Sequence, residues 1–256
     1  MVSAPGKRYS DDIKVTDMLY KCFALKQKEG NCKAPFKLIK QRYIDLISDL
    51  ELDYDLSDEF DDIEDKINKS ETPDYAASRG EYLAAKIMAK LLGFDFCESA
   101  DIIKFDEKGV FLSELSDDLI NDKLKESAGA VIPGFYGAKP DGSIKTFTRG
   151  GSDITGSIIA SGVAADIYEN WTDVNGFMTA DPRIVDSPIG INMLTYDELR
   201  ELSYMGANVL HPNCTFPLRK RSIPINIKNT FNTEHKGTMI VANSDNLEHR
   251  TVTGIA

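Results

Sequence analysis

Residues 149–153 read Arg-Gly-Gly-Ser-Asp, a cation and a carboxylate separated by two adjacent glycines and a serine. Glycines let a backbone approach a ligand closely, and the free N–H groups at a helix start favour negative charge. The residues that follow, Thr155, Gly156, Ser157, Ala160 and Ser161, are small, so a helix built from them can pack close to a sheet. Strand, glycine-rich turn and small-residue helix together make a trap for a phosphate or another anion. The same pentapeptide suits an ordinary helix start capped by Ser152 or Asp153, and alone it leaves both readings open. Two more stretches carry polar groups to such a place. One ends a strand on Trp171, offers Thr172 and Asp173, turns at Gly176 and reaches Asp181-Pro182-Arg183. The other, residues 204–212, reads as a helix end at Gly206, a short apolar strand and a His-Pro turn. In an open parallel sheet, ligands lie beyond the carboxyl ends of the strands.

The elements that must position these residues follow from the apolar spacing. Residues 9–28 and 34–50 have helical periodicity, with Leu19, Cys22, Phe23, Leu25, Ile39, Tyr43, Leu46 and Ile47 facing a core. Residues 52–70 are charged and helical in composition and read as a solvated face. Residues 74–92 form a strong helix stopped by Gly93. Short apolar runs at 94–97, 101–105, 129–133 and 144–148 read as strands. A helix at 152–163, a strand at 165–170, helices at 195–206 and 212–221 and a strand at 223–228 complete the pattern. Strands alternating with helices predict an α/β fold on a largely parallel sheet covered on both faces.

The 256 residues carry a net charge of −11, and 42% are hydrophobic. That supports a sizeable core, and it argues against nucleic acid or an anionic membrane surface as a partner, since both need a basic footprint. Cys22, Cys32, Cys97 and Cys214 show no CxxC spacing and no zinc pattern with His211, His235 or His249, so no metal ligands are assigned. Scattered cysteines suit a reducing cytoplasm. The opening residues do not read as a signal peptide, and no apolar run reaches membrane-spanning length.

In order, wording and spacing, R-G-G-S-D, W-T-D-V-x-G, D-P-R and the 204–212 segment resemble the aspartate kinases of the amino acid kinase family. Upstream, Ala77-Ser-Arg-Gly-Glu-Tyr resembles the family's helix with a Gly-Glu pair, and Val2-Ser-Ala-Pro-Gly-Lys-Arg resembles the end of its second strand. The resemblance implies a three-layer α/β/α sandwich on a mainly parallel sheet, one catalytic domain over 1–256. A helical substrate-side lobe would cover about 1–145 and a nucleotide-side lobe about 146–245, with a linker from 246. It implies transfer of the ATP γ-phosphoryl group to the side-chain carboxylate of L-aspartate, with Mg²⁺ held through the phosphates, on the route to lysine, methionine and threonine. By the same resemblance Arg149 grips the substrate α-carboxylate and Glu81 accepts its ammonium. Gly150, Gly151 and Ser152 line the substrate, and Asp153 stands near the transferring phosphate. Ser3, Thr172, Asp173, Met178, Arg183, Asn208 and Val209 contact the nucleotide. Outside the family pattern, Glu81 reads as a surface helix glutamate.

The sequence departs from the family in places. The family's opening K-F-G-G-[TS]-S loop, whose lysine clamps phosphate, has no counterpart, and Asn208 stands where the family has a lysine. Met178 replaces an aromatic residue. Both ends read as trimmed, and the two regulatory ACT domains that usually follow, through which the full-length enzyme forms homo-oligomers, are not in the sequence. The sequence-level expectation is therefore a catalytic domain whose turnover is low by itself. Two alternatives remain: another amino acid kinase, or a non-catalytic remnant that binds nucleotide or substrate.

Overall fold

The computed structural model describes residues 1–148, 150–181, 183–206, 209–242 and 253–254. The chain forms two compact units, Met1–Ser152 and Asp153–Ala256.

The first unit is built on four helices, α1 (Val15–Glu29), α2 (Lys33–Asp49), α3 (Ser57–Lys69) and α4 (Pro73–Leu92). Val15, Leu19, Cys22 and Phe23 of α1 recur at helical spacing and meet Phe36, Ile39 and Tyr43 of α2 and Leu83 and Ile87 of α4 in one core. The charged α3 is amphipathic: Phe60, Ile63 and Ile67 join that core, while Lys66–Asp62 and Lys69–Asp65 pairs cover its outer side. The first helix starts at Val15 instead of residue 9, because Asp12 is engaged elsewhere. It accepts from the backbone and guanidinium of Arg8, and it pairs with the buried Arg42 at 3.1 Å. A side chain so used gives the backbone an alternative to helix.

The rest of the unit contains β1 (Asp95–Phe96), α5 (Ser99–Ile102), α6 (Ser113–Leu124), β2 (Ala130–Val131), β3 (Tyr136–Ala138) and β4 (Ile144–Thr146). Strands β1 and β2 pair in parallel, and β3 and β4 form an antiparallel hairpin. The strand expected at 101–105 is a correction: the Glu98 carboxylate caps the N–H of Ala100, and the chain turns into α5. Only Lys104 and Phe105 reach isolated bridges. Asp74, in the first turn of α4, accepts from the Thr146 backbone at 3.1 Å and from its hydroxyl, tying α4 to β4. The opening segment lies beside β2: Val2 N–H donates to Ile132 and Gly134 N–H donates to Val2, both at 2.9 Å.

The second unit holds a four-stranded sheet in the order β5-β7-β8-β6, from β5 (Tyr168–Thr172), β6 (Met193–Thr195), β7 (Ile225–Asn229) and β8 (Thr238–Val241). Pairs β5–β7 and β6–β8 are parallel and β7–β8 is antiparallel. Its core gathers Ile225, Ile227 and Ile240 from the sheet with Leu199 and Leu202 of α8 (Tyr196–Tyr204) and Leu218 of α9 (Thr215–Lys220). A reciprocal Thr195–Glu198 capping box starts α8. The short strand expected after Gly206 is instead a bend at Val209 and Leu210, with Leu210 buried in this core. The helix expected at 212–221 is a 3₁₀ turn, Pro212–Cys214, followed by α9. Helix α7 (Gly151–Gly162) follows the glycine turn, and its Thr155, Ser157 and Ile158 are buried.

Candidate functional site

In the first unit the candidate residues gather around the opening segment. Glu81 is 5% exposed, so it is not a surface glutamate. Gly80 makes that burial possible: a Cβ there would stand 2.8 Å from Ala4 Cβ and 3.3 Å from Leu19 and Val15. Its carbonyl accepts from the Tyr43 hydroxyl at 2.7 Å, which fixes α4 in place. Among the described residues Glu81 Oε2 has no hydrogen-bond partner. Burial raises its pKa from 4.5 to about 7, against hydrogen bonds from the Glu81 and Ala4 backbone and the charge of Arg79. The segment that bonds Glu81 through Ala4 also pairs with residues 132–134, just past β2, through Val2. Ser3, between them, is exposed.

The glycine turn arrives at the same segment. Gly150 has φ +57°, which a glycine adopts at no steric cost. A Cβ on Gly151 would collide with the Phe135 ring. A Cβ on Gly134 would lie 3.1 Å from Ser152 Oγ. The structure therefore brings Val2, Pro133–Gly134 and Gly151–Ser152 together within one unit, with Glu81 reached through Ala4. Arg149 lies outside the described residues. Since α7 begins at Gly151, Ser152 and Asp153 sit inside its first turn and are not the residue before it. An acidic group there suits the positive end of the helix dipole.

In the second unit Asp153 Oδ1 accepts from Asn170 Nδ2 at 3.1 Å, and that amide also donates to the Tyr168 hydroxyl at 3.1 Å. Burial raises the Tyr168 phenol, so it stays protonated. The carboxylate is thus aimed by two residues of β5 that the sequence reading did not single out. Alternation along the strand was the available signal, since Tyr168 and Asn170 share the buried face. At the carboxyl ends of the parallel pair, Thr172 lies opposite Asn229. Thr172 donates to Asp173 at 3.2 Å, and its carbonyl accepts from Thr230 at 2.8 Å. Asn229 donates to Asn175 at 2.7 Å, and the Lys228 ammonium stands 5.0 Å from the Trp171 ring centre. These strand-end residues of β7 were also missed; a polar Lys-Asn-Thr run closing an apolar strand is the pattern that marks them.

Met178 bridges Gly190, and Val209 packs on the unit's core. Arg183 is 87% exposed and bidentate to Asp181, from 2.6 to 3.1 Å. That pairing holds the Asp181 carboxyl down at about 2. The Arg183 guanidinium is therefore paired with the Asp181 carboxylate. Asn208 lies outside the described residues. Among the described residues no three His, Cys, Asp or Glu side chains are grouped to hold a metal ion, and no helix is long and apolar enough to cross a membrane.

The chain is similar to proteins of known family. Aspartokinase 3 of Bacillus subtilis is 36% identical over 271 residues, covering 100% of this chain and 59% of that protein. The crystal structure of Clostridium acetobutylicum aspartate kinase superposes with a TM-score of 0.91 at 47% identity, covering 98% of this chain and 57% of that one. Escherichia coli aspartokinase III in complex with aspartate and ADP superposes at 0.77 over 91% of this chain and 56% of its own, and at 20% identity the likeness is one of fold. The chain thus spans a little under three fifths of each of these three proteins. The model of the amino acid kinase family matches residues 36–229, which include the buried Glu81, the glycine turn and the strand ends at Thr172 and Asn229, and the chain belongs to that family.

Proposed function

We propose that this chain is the catalytic part of an aspartate kinase, moving the γ-phosphoryl group of ATP to the side-chain carboxylate of L-aspartate. The observation that carries the reading is Glu81, a buried carboxylate on α4 with one oxygen unpaired and its proton held to about 7. Such a group is costly alone and is relieved by a cation brought into hydrogen-bond range. The ammonium of an amino acid supplies one. The resemblance to two bacterial aspartate kinases over nearly the whole chain supports aspartate as that amino acid.

In this reading Glu81 takes the ammonium and the Arg149 fork takes the α-carboxylate, leaving the side-chain carboxylate as the acceptor. Backbone N–H groups at Gly150, Gly151 and Ser152 face the negative charge that gathers during transfer. Asp153, aimed by Asn170, orients cationic groups near the phosphate. Thr172, Asp173, Met178, Arg183, Asn208, Val209 and Ser3 form the nucleotide side. Phosphoryl transfer asks the protein chiefly for position and charge neutralisation. Mg²⁺ belongs to this reading as an ion carried on the phosphates of ATP. When bound there, it would neutralise phosphate charge. The four free cysteines, all buried, support a reducing cytoplasm as the place of work. A homo-oligomer and a role on the route to lysine, methionine and threonine belong to the same reading.

The test is ADP release with aspartate, glutamate, acetylglutamate, carbamate or a nucleoside monophosphate as acceptor. Aspartate is expected to be preferred, and Glu81→Gln to lose aspartate binding by calorimetry. Arg149→Lys should weaken aspartate by roughly 2–4 kcal/mol, because a point charge cannot replace a planar fork. Equal use of another acceptor, or unchanged aspartate affinity in Glu81→Gln, overturns the assignment.

A further inference from the structure

The first unit carries a cleft away from Glu81. The cleft, of ≈ 800 Å³, opens between α3, the first turns of α4 and the β3–β4 hairpin, a size common among small-molecule sites. Arg79 lines it. Arg79 and Glu81 are two positions apart on α4, about 200° around the helix, so they point to different sides.

Arg79 is 5% exposed. Its guanidinium carbon stands 4.5, 4.7 and 5.0 Å from the ring centres of Tyr82, Tyr75 and Tyr136. Ring faces stabilise a cation but do not replace the acceptors that a guanidinium's five N–H groups seek. Nε donates to Ser78 Oγ at 3.0 Å. Among the described residues the buried Nη2 meets no acceptor. Neighbouring carboxylates are engaged elsewhere: Glu59 with Lys86, Asp74 with Lys145 and Thr146, and Glu98 with the Tyr136 hydroxyl and the Ala100 N–H. Glu71, exposed and also lining the cleft, makes no ion pair among the described residues.

The cleft therefore offers the Arg79 Nη2 nitrogen in its depth, the Lys139 ammonium, which makes no ion pair among the described residues, and the Glu71 carboxylate nearer solvent. Six carboxyl groups and four cationic side chains line it, so a polyanion such as phosphate is disfavoured and a ligand carrying both signs is matched. We propose that this cleft is a second ligand site that takes a free amino acid, its carboxylate on Arg79 and its ammonium toward Glu71. Tyr75 and Tyr82 line the same cleft and are half-buried, so rotation of one ring brings Nη2 to the ligand.

Calorimetric titration with each common amino acid and with inorganic phosphate tests this, in the wild-type chain and in Glu81→Gln, Arg79→Gln and Glu71→Lys. At least one amino acid should bind as well to Glu81→Gln as to the wild type, and Arg79→Gln should weaken it by about tenfold or more. Should Arg79→Gln fail to fold, Glu71→Lys at an exposed position carries the test. It sets a like charge against the ammonium and should weaken the same amino acid by a comparable factor. The proposal is overturned if no amino acid binds Glu81→Gln, if binding ignores both cleft substitutions, or if phosphate binds in preference. Aspartate binding that depends on Glu81 alone is a separate result and bears only on the catalytic assignment.

Discussion

A carboxylic acid taken out of water keeps its proton longer, and Glu81 turns that into a measurable slope. Its unfolded value near 4.5 lies below its folded value of about 7, so between these pH values the folded chain binds more protons than the unfolded one. Stability contributed by this group is therefore full below pH 4.5, falls as pH rises, and levels off above about 7. The move from 4.5 to about 7 corresponds to a loss of about 3 kcal/mol. Denaturant unfolding across that window should show the decline in the wild type and not in Glu81→Gln; parallel curves would remove the burial argument. Ligand binding has the opposite sign. An ammonium pairs with the ionised form, so affinity for aspartate should rise with pH up to about 7, and isothermal titration at two pH values reads this directly. None of it was visible in the sequence, where Glu81 is one carboxylate on a helix. Its environment comes from Ala4 and Tyr43, far away in the chain, and from the helix glycine beside it.

Helix α4 shows which of two opposing effects wins at an element. Alanine is a better helix former than glycine by about 1 kcal/mol, so Gly80→Ala would stabilise an isolated helix. Here the new methyl meets Ala4 Cβ at 2.8 Å, and a short rigid side chain cannot turn aside. Overpacking of this kind costs about 1–3 kcal/mol. The expected result is a net loss of stability together with weaker aspartate binding, as the opening segment is pushed from Glu81. A higher melting temperature would mean that the segment yields freely. At α8, Thr195→Ala removes one half of the capping box and should cost about 1 kcal/mol by thermal melt. Elements of this length were legible in the sequence. The apolar spacing of α1, α2 and α4 and the Gly93 stop are local signals, and each appears in the structure within a few residues, apart from the later start of α1. Strands β3, β6 and β8, three or four residues each, went unread: Tyr136-Gly-Ala has a glycine at its centre, Met193-Leu-Thr runs straight into α8, and β8 follows the left-handed Gly237. Helix α6 went unread because its buried side is only Ser116 and Ile120. Residues 101–105 misled because Ile102 and Ile103 are buried whether the chain is extended or turning. Of the candidate site, the glycine turn was legible as a motif, while the residues that aim it, Tyr168 and Asn170, needed the strand's register.

At the scale of the whole chain, each compact unit has its own hydrophobic core, and the cysteines are divided between them. Cys22, Cys32 and Cys97 lie in the first unit and Cys214 in the second, all buried. Thiol labelling followed by mass spectrometry in rising denaturant should release them as two groups, three together and one apart, because separate cores can open separately. A single midpoint for all four would show one cooperative transition. The only tryptophan of the chain, Trp171, stands on β5 next to Thr172 and Asp173, partly exposed, with the Lys228 ammonium over its ring and Glu169 accepting from its indole N–H. Light absorbed at the red edge, where tyrosine is transparent, therefore excites one ring at one end of one strand. Its emission colour and quenching are a native optical gauge of the strand end that the proposed function gives to the nucleotide, and they stay silent to whatever the tyrosines around Arg79 are doing.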